Sequence, residues 1–274
     1  MQIHSTKFMF GVMTGTALAV MTPVLATGAT VYKFAAGFNG TLKPDVQPAG
    51  SVAPVATGTG AAVNSSTYKY GTGSLQVQSD ATGAIRYDWS AVPVTGWGTV
   101  GLWYNPSYTP SAATGSNTLF QAVAATSGDG WTSGVSLFRS NSTLTLALNW
   151  DYDWSFDSVT ADISGWTADS WHYIECQWAL KGSTELAIYI DGVRTGFYTV
   201  GWAAPLTKTM PNLYVGGNAG GTFSGANGYL DGFWYNNDAN PTSMTCVVPT
   251  MDVPEPAMAA FLALGGLACL RRRR

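Results

Sequence analysis

Charge is scarce in this chain of 274 residues: Asp, Glu, Lys and Arg together make up 11% of it. Between residues 27 and 252 stand eight Lys and Arg against 15 Asp and Glu, a charge near −7 with His neutral. No basic patch or stripe is present, which excludes nucleic acid as a partner. Histidine is nearly missing, His4 and His172 being the two, and the cysteines are Cys176, Cys246 and Cys269. No Cys/His spacing of a zinc site exists, and one histidine in the body of the chain gives no basis for a Ser-His-Asp arrangement. No apolar run reaches the ~20 residues of an ordinary bilayer span. The shortage of charge does not signal disorder, because 46% of residues are hydrophobic and 13% aromatic, enough to build a core.

What is present at the two ends reads as export chemistry. Met1 to Lys7 is a short polar start, Phe8 to Met21 is apolar, and Val24-Leu25-Ala26 offers the small residues a signal peptidase reads. Residues 1–26 are therefore expected to be a secretory signal peptide. At the other end come Val253, Pro254, Glu255 and Pro256, an apolar run from Ala257 to Leu270, and then Arg271, Arg272, Arg273 and Arg274. Four arginines resist crossing a bilayer and hold that end on the cytoplasmic side.

This order of motif, apolar helix and basic end resembles the PEP-CTERM sorting signal of bacterial envelope proteins. The resemblance implies a single apolar helix that holds the chain in the membrane before processing. It also implies a transpeptidase-like exosortase that acts at Val253–Pro256. The expected organisation is a signal peptide (1–26), a folded body (27–238), a linker (239–252) and the sorting signal (253–274).

The body shows many short segments of period two separated by turn residues, and no helical period. Strands are predicted at Val31–Phe38, Ser74–Gln78, Ala84–Trp89, Thr99–Asn105, Leu119–Ala124, Val135–Phe138 and Leu144–Trp150. Further strands are predicted at Trp171–Leu180, Glu185–Ile190, Arg194–Val200, Leu213–Gly216 and Gly228–Tyr235, as expected for an all-β sandwich. Trp171–Leu180 reads as the longest clean strand, and Thr41–Val63 as a long surface connection. Asp191-Gly192 tolerates the positive φ angles of a tight primed turn and predicts a hairpin. In the long strand, Ile174, Cys176 and Trp178 alternate onto one face, which should be the core face. Cys176 is then either a small buried hydrophobe or, in an oxidising compartment, the partner of Cys246 in a disulfide.

Three sequence pieces, in order, resemble the laminin G-like, concanavalin A-like lectin/glucanase superfamily. They are Tyr70-Gly71-Thr72-Gly73-Ser74-Leu75; Ser170-Trp171-His172-Tyr173-Ile174 followed by Leu186-Ala187-Ile188-Tyr189-Ile190-Asp191-Gly192-Val193; and Leu213-Tyr214-Val215-Gly216-Gly217 followed by Gly228-Tyr229-Leu230-Asp231-Gly232-Phe233. The resemblance implies a two-sheet antiparallel jelly-roll sandwich in which His172 and Asp231 are framework residues. One departure is Gly232, where the family's last strand usually carries Glu. The Glu-x-Asp-x-x-Glu pattern of the glucanase branch is absent, and the only glutamates between 27 and 252 are Glu175 and Glu185.

The densest chemistry is Asn149-Trp150-Asp151-Tyr152-Asp153-Trp154-Ser155-Phe156-Asp157. Trp150, Tyr152 and Trp154 can stack on the apolar faces of sugars, while Asp151 and Asp153 accept from hydroxyls. Asp151, Asp153 and Asp157 are also candidate ligands for Ca²⁺, a hard cation that prefers oxygen. An edge strand with rings packed inward and solvated aspartates is the structural alternative. Gly128-Asp129-Gly130-Trp131 is a second candidate loop. The chain is expected to be a noncatalytic, envelope-exposed binder of an extracellular polysaccharide or glycoprotein. The alternatives are a matrix component without a specific ligand and a glycan-cleaving enzyme.

Overall fold

The computed structural model describes residues 32–49, 51–78, 83–90, 92, 96–113, 115–123, 134–149, 156–180, 184–201, 210–219 and 225–237. The signal peptide, the linker, the sorting signal, Cys246 and Cys269 lie outside the described residues.

The strands in chain order are β1 (Phe34–Ala36), β2 (Val55–Thr57), β3 (Ala61–Asn64), β4 (Ser74–Val77), β5 (Ala84–Asp88), β6 (Trp97–Pro106), β7 (Ser116–Val123) and β8 (Gly134–Ser140). They continue with β9 (Thr143–Asn149), β10 (Phe156–Asp162), β11 (His172–Leu180), β12 (Thr184–Ile190), β13 (Val193–Val200), β14 (Asn212–Val215) and β15 (Gly228–Asn236). All pairings are antiparallel. One sheet, here sheet I, has the order β13-β12-β11-β6-β15-β4-β3, with β1 also on β15. The other, sheet II, runs β10-β9-β8-β7-β14-β5-β2. Neighbours such as β6 and β15 are distant in sequence, the mark of a jelly roll, so the all-β two-sheet sandwich is as expected.

The core lies between the sheets because period two sends alternate side chains inward. Ile174, Cys176 and Trp178 join it from β11, Val100, Leu102 and Tyr104 from β6, and Leu144, Leu146 and Leu148 from β9. The core face of β11 is the one its alternation predicts. Cys176 is fully buried and, among the described residues, has no disulfide partner. Burial first, and then the charge of Glu175 beside it, push that thiol well above its ordinary range. Cys176 packs in the core as a small hydrophobe does, and Cys246, its candidate disulfide partner, lies outside the described residues. The Asp191-Gly192 hairpin is present, with Ile190 paired to Val193 and φ of 52° and 85° at the two turn residues.

Two expectations are corrected. The stretch Thr41–Val63 is not only a connection, since β2 and the start of β3 lie within it. Both are short edge strands with little burial, so neither needs a strong apolar alternation. The longest strand is β6, at 10 residues, against 9 for β11. Gly98 and Gly101 of β6 each make room for a large ring from a neighbouring strand. One further strand was not predicted: β10 takes in Phe156 and Asp157, the last two residues of the aromatic-acidic cluster.

Candidate functional site

Strand β9 ends at Asn149 and β10 begins at Phe156, and these two residues are paired. Trp150, Asp151, Tyr152, Asp153 and Trp154 fall between them in the chain and lie outside the described residues, as does Gly128–Trp131. Asp157 is described. It sits opposite Leu148 in β10, is 8% exposed, and accepts a hydrogen bond from the Tyr198 hydroxyl at 3.0 Å. That bond, with desolvation and the carboxylate's charge, raises the Tyr198 hydroxyl above its usual range. Asp157 thus ties the edge of sheet II to the edge of sheet I. Among the described residues, no three His, Cys, Asp or Glu side chains come together as metal ligands.

His172 and Asp231 occupy framework positions, as their sequence context implies. The His172 ring stacks on Trp166 at 4.0 Å and 7°, and its Nδ1 lies 2.8 Å from Asp191 Oδ2. The other oxygen of Asp191 accepts from the Tyr173 amide. His172 thereby fastens the start of β11 to the β12–β13 turn. Asp231 is buried, and its Oδ2 accepts from the Lys69 and Tyr70 amides at 2.8 and 3.0 Å. Its Oδ1 accepts from the Gly232 amide at 2.7 Å. Gly232 has φ of 55° where the β15 register shifts. A left-handed bulge favours glycine at this position.

The outer face of sheet I is more aromatic than alternation alone suggests. Trp103, Tyr173 and Trp234 form a cluster there, with Tyr32, Tyr70, Trp171 and Val46 packed on it. Tyr70 meets Trp103 edge-on at 5.7 Å, and the Lys69 ammonium stands 4.2 Å from the Trp103 ring centre. Glu175 is 4% exposed within this face. It accepts from the Tyr173 hydroxyl at 3.0 Å and from Gln177 Nε2 at 2.6 Å. A glutamate committed this way has no open side towards a scissile bond. Trp103 and Trp234 are 7% and 8% exposed, too little ring face for stacking on a sugar. The cluster is a second, smaller core beneath the 65–72 loop.

Sequence reasoning missed a different surface. In β5, Ile85 and Tyr87 point into the core, so Arg86 and Asp88 must point outward from sheet II. They line an open groove of about 330 Å³ with Val52, Val55, Pro211 and Asn212. The alternation Ala84-Ile85-Arg86-Tyr87-Asp88 was the available signal. Its partner strand β2, which forms the groove's other wall, gave none.

No family model and no curated protein sequence matches this chain. Solved structures share its fold. It is similar to domain 4 of AbnA, a GH43 extracellular arabinanase from Geobacillus stearothermophilus solved with arabinotriose. That match has a TM-score of 0.53 and 15% identity, covering 74% of this chain and 91% of that one. It is also similar to the receptor binding domain of botulinum neurotoxin D, with a TM-score of 0.55 and 12% identity over 85% of this chain. The chain spans about half of that structure, 52%. A serotype D ligand binding domain solved with N-acetylneuraminic acid matches at a TM-score of 0.54 and 14% identity, covering 74% of this chain and 47% of that one. At these identities the likeness establishes the sandwich fold.

Proposed function

We propose that this protein is an exported envelope or extracellular-matrix protein that binds a polysaccharide or glycoprotein without cleaving it. The observation that carries this reading is the sandwich itself, shared with domains solved holding arabinotriose and N-acetylneuraminic acid. Loops and edges carried on a sheet scaffold are where binding groups tend to sit. Glu175, one of the two body glutamates, is committed to Tyr173 and Gln177, which supports binding over glycan hydrolysis. The test is retention of the purified protein on isolated envelope polysaccharide. Retention with no release of reducing ends is expected. Elution in the void volume would overturn the reading, and released reducing ends would make the protein an enzyme.

Export rests on the signal-like start and on Val253–Pro256 with Arg271–Arg274. In this reading, signal peptidase removes the start and an exosortase processes the end near Pro256. Mass spectrometry of the envelope fraction should find the chain ending near that residue. Recovery of most molecules with Arg271–Arg274 intact would refute sorting and leave the binding proposal standing.

A further inference from the structure

We infer that the groove on the outer face of sheet II, centred on Arg86, is a subsite for one neutral sugar residue of an extracellular polysaccharide. The inference rests on the reading of the protein as a glycan binder and deepens it by naming the site and the ligand class. Its wall is built by register. Val55 of β2 lies opposite Arg86, and Asn212 of β14 lies opposite Asp88. Three side chains of different hydrogen-bonding character thus share one patch of pleat.

Arg86 is exposed, and among the described residues it makes no hydrogen bond or ion pair. Among those residues its five N–H donors are uncommitted. Asp88 supplies acceptors. Its Oδ1 takes the Ser90 hydroxyl at 2.7 Å and the Ser90 amide at 3.0 Å. Among the described residues its Oδ2 takes only the Val52 amide, at 3.2 Å. The Ser90 hydroxyl, then the Ser90 and Val52 amides, hold this carboxyl below the usual carboxylate range. It is therefore ionised at neutral pH, with capacity left on Oδ2. The half-buried amide of Asn212 both donates and accepts. Sugar hydroxyls also do both, so this set can serve adjacent hydroxyls in either direction.

The remaining wall is apolar. Val52 and Val55 are 66% and 43% exposed, beside Pro211. Branched and cyclic aliphatic groups suit the C–H face of a sugar ring. A volume of about 330 Å³ lies at the small end of ligand sites and fits one ring. Charge selects the class. Among the described residues Arg86 is the groove's only cation, and Asp88 stands two residues away on the same face. The body carries a charge near −7 between residues 27 and 252. An anionic sugar meets a carboxylate and a repelling domain, and a neutral one meets neither penalty.

The experiment titrates the whole chain, by calorimetry, with four neutral trisaccharides and one acidic sugar. The neutral probes are arabinotriose, xylotriose, cellotriose and laminaritriose, and the acidic one is N-acetylneuraminic acid. Wild type, Arg86→Ala and Asn212→Ala are compared, each checked for an unchanged melting temperature, because both side chains sit on the surface. At least one neutral trisaccharide should bind, and Arg86→Ala should weaken it about tenfold or more, the loss expected for hydrogen bonds from a charged donor. Binding of N-acetylneuraminic acid in preference to every neutral probe overturns the ligand class. Failure of all four neutral probes, or equal binding by wild type and both variants, overturns the subsite. If wild type and Arg86→Ala are then retained alike on envelope polysaccharide, the glycan-binding function survives without this groove. If neither is retained, both readings fall together.

Discussion

Trp178→Ala should lower unfolding free energy by about 3–5 kcal/mol, the usual loss for deleting a buried Trp side chain. Trp178 is 1% exposed and stacks on Tyr235 at 6.0 Å and 16°. Tyr235 in turn meets Trp89 edge-on at 5.0 Å. Removing the first ring therefore opens a cavity against two others that cannot all relax into it. The neighbouring strand is cut to fit. Gly98 of β6 is paired with Trp178, and a Cβ on Gly98 would collide with the Trp178 ring at Cζ2. Gly98→Ala alone should cost about 1–3 kcal/mol through overpacking. In the Trp178→Ala background that cost should largely vanish, because the colliding ring is gone. Urea titrations of the two single variants and the double variant complete the cycle. Additive losses would show that Gly98 is not there to admit the ring, and a Trp178→Ala protein as stable as wild type would show that its face is not core.

The parts of the fold legible in the sequence were those where burial on one face imposes period two. Ile174, Cys176 and Trp178 are an example, and all three lie in the intersheet core. The Asp191-Gly192 turn was legible for a local reason, since few residue pairs accept two positive φ angles. Strands β2 and β3 were not, because both lie at sheet edges and bury little. Their Ala, Val and Thr residues sit among Gly and Pro and mimic a loop. Strand β10 was hidden by the aromatic-acidic residues before it. Those residues drew attention to Asp157 as a ligand, and its contact with the Tyr198 hydroxyl across the sheets could not be read from the sequence. The groove at Arg86 needed tertiary information. Its three polar members come from β5 and β14, more than 120 residues apart in sequence, and a single sequence does not show that they meet.

Asp231→Ala should destabilise the protein by about 3 kcal/mol, since hydrogen bonds to a charged group each contribute roughly 1.5–3 kcal/mol net and desolvation of the carboxylate offsets part of the sum. The residue is 1% exposed and its two oxygens take three backbone amides, from Lys69, Tyr70 and Gly232. Lys69 and Tyr70 are some 160 positions away in the chain, so this one side chain anchors the 65–72 loop over sheet I. Alanine leaves those amides without their acceptor. It also frees Tyr70 from its edge contact with Trp103 and Lys69 from its place over the same ring. Loss of stability should therefore come with a red shift of tryptophan emission in the folded baseline, as Trp103 gains water. Asp231→Asn separates the contributions. Its carbonyl oxygen can still serve Lys69 and Tyr70, while its NH₂ would face the Gly232 amide, donor against donor. Asn should thus recover about half of the loss and keep the emission close to wild type. Urea unfolding followed by fluorescence reads both quantities in one experiment. An Asp231→Ala protein with wild-type midpoint and emission would show that burying the carboxylate costs as much as its three hydrogen bonds return, and that the loop is held by its rings alone.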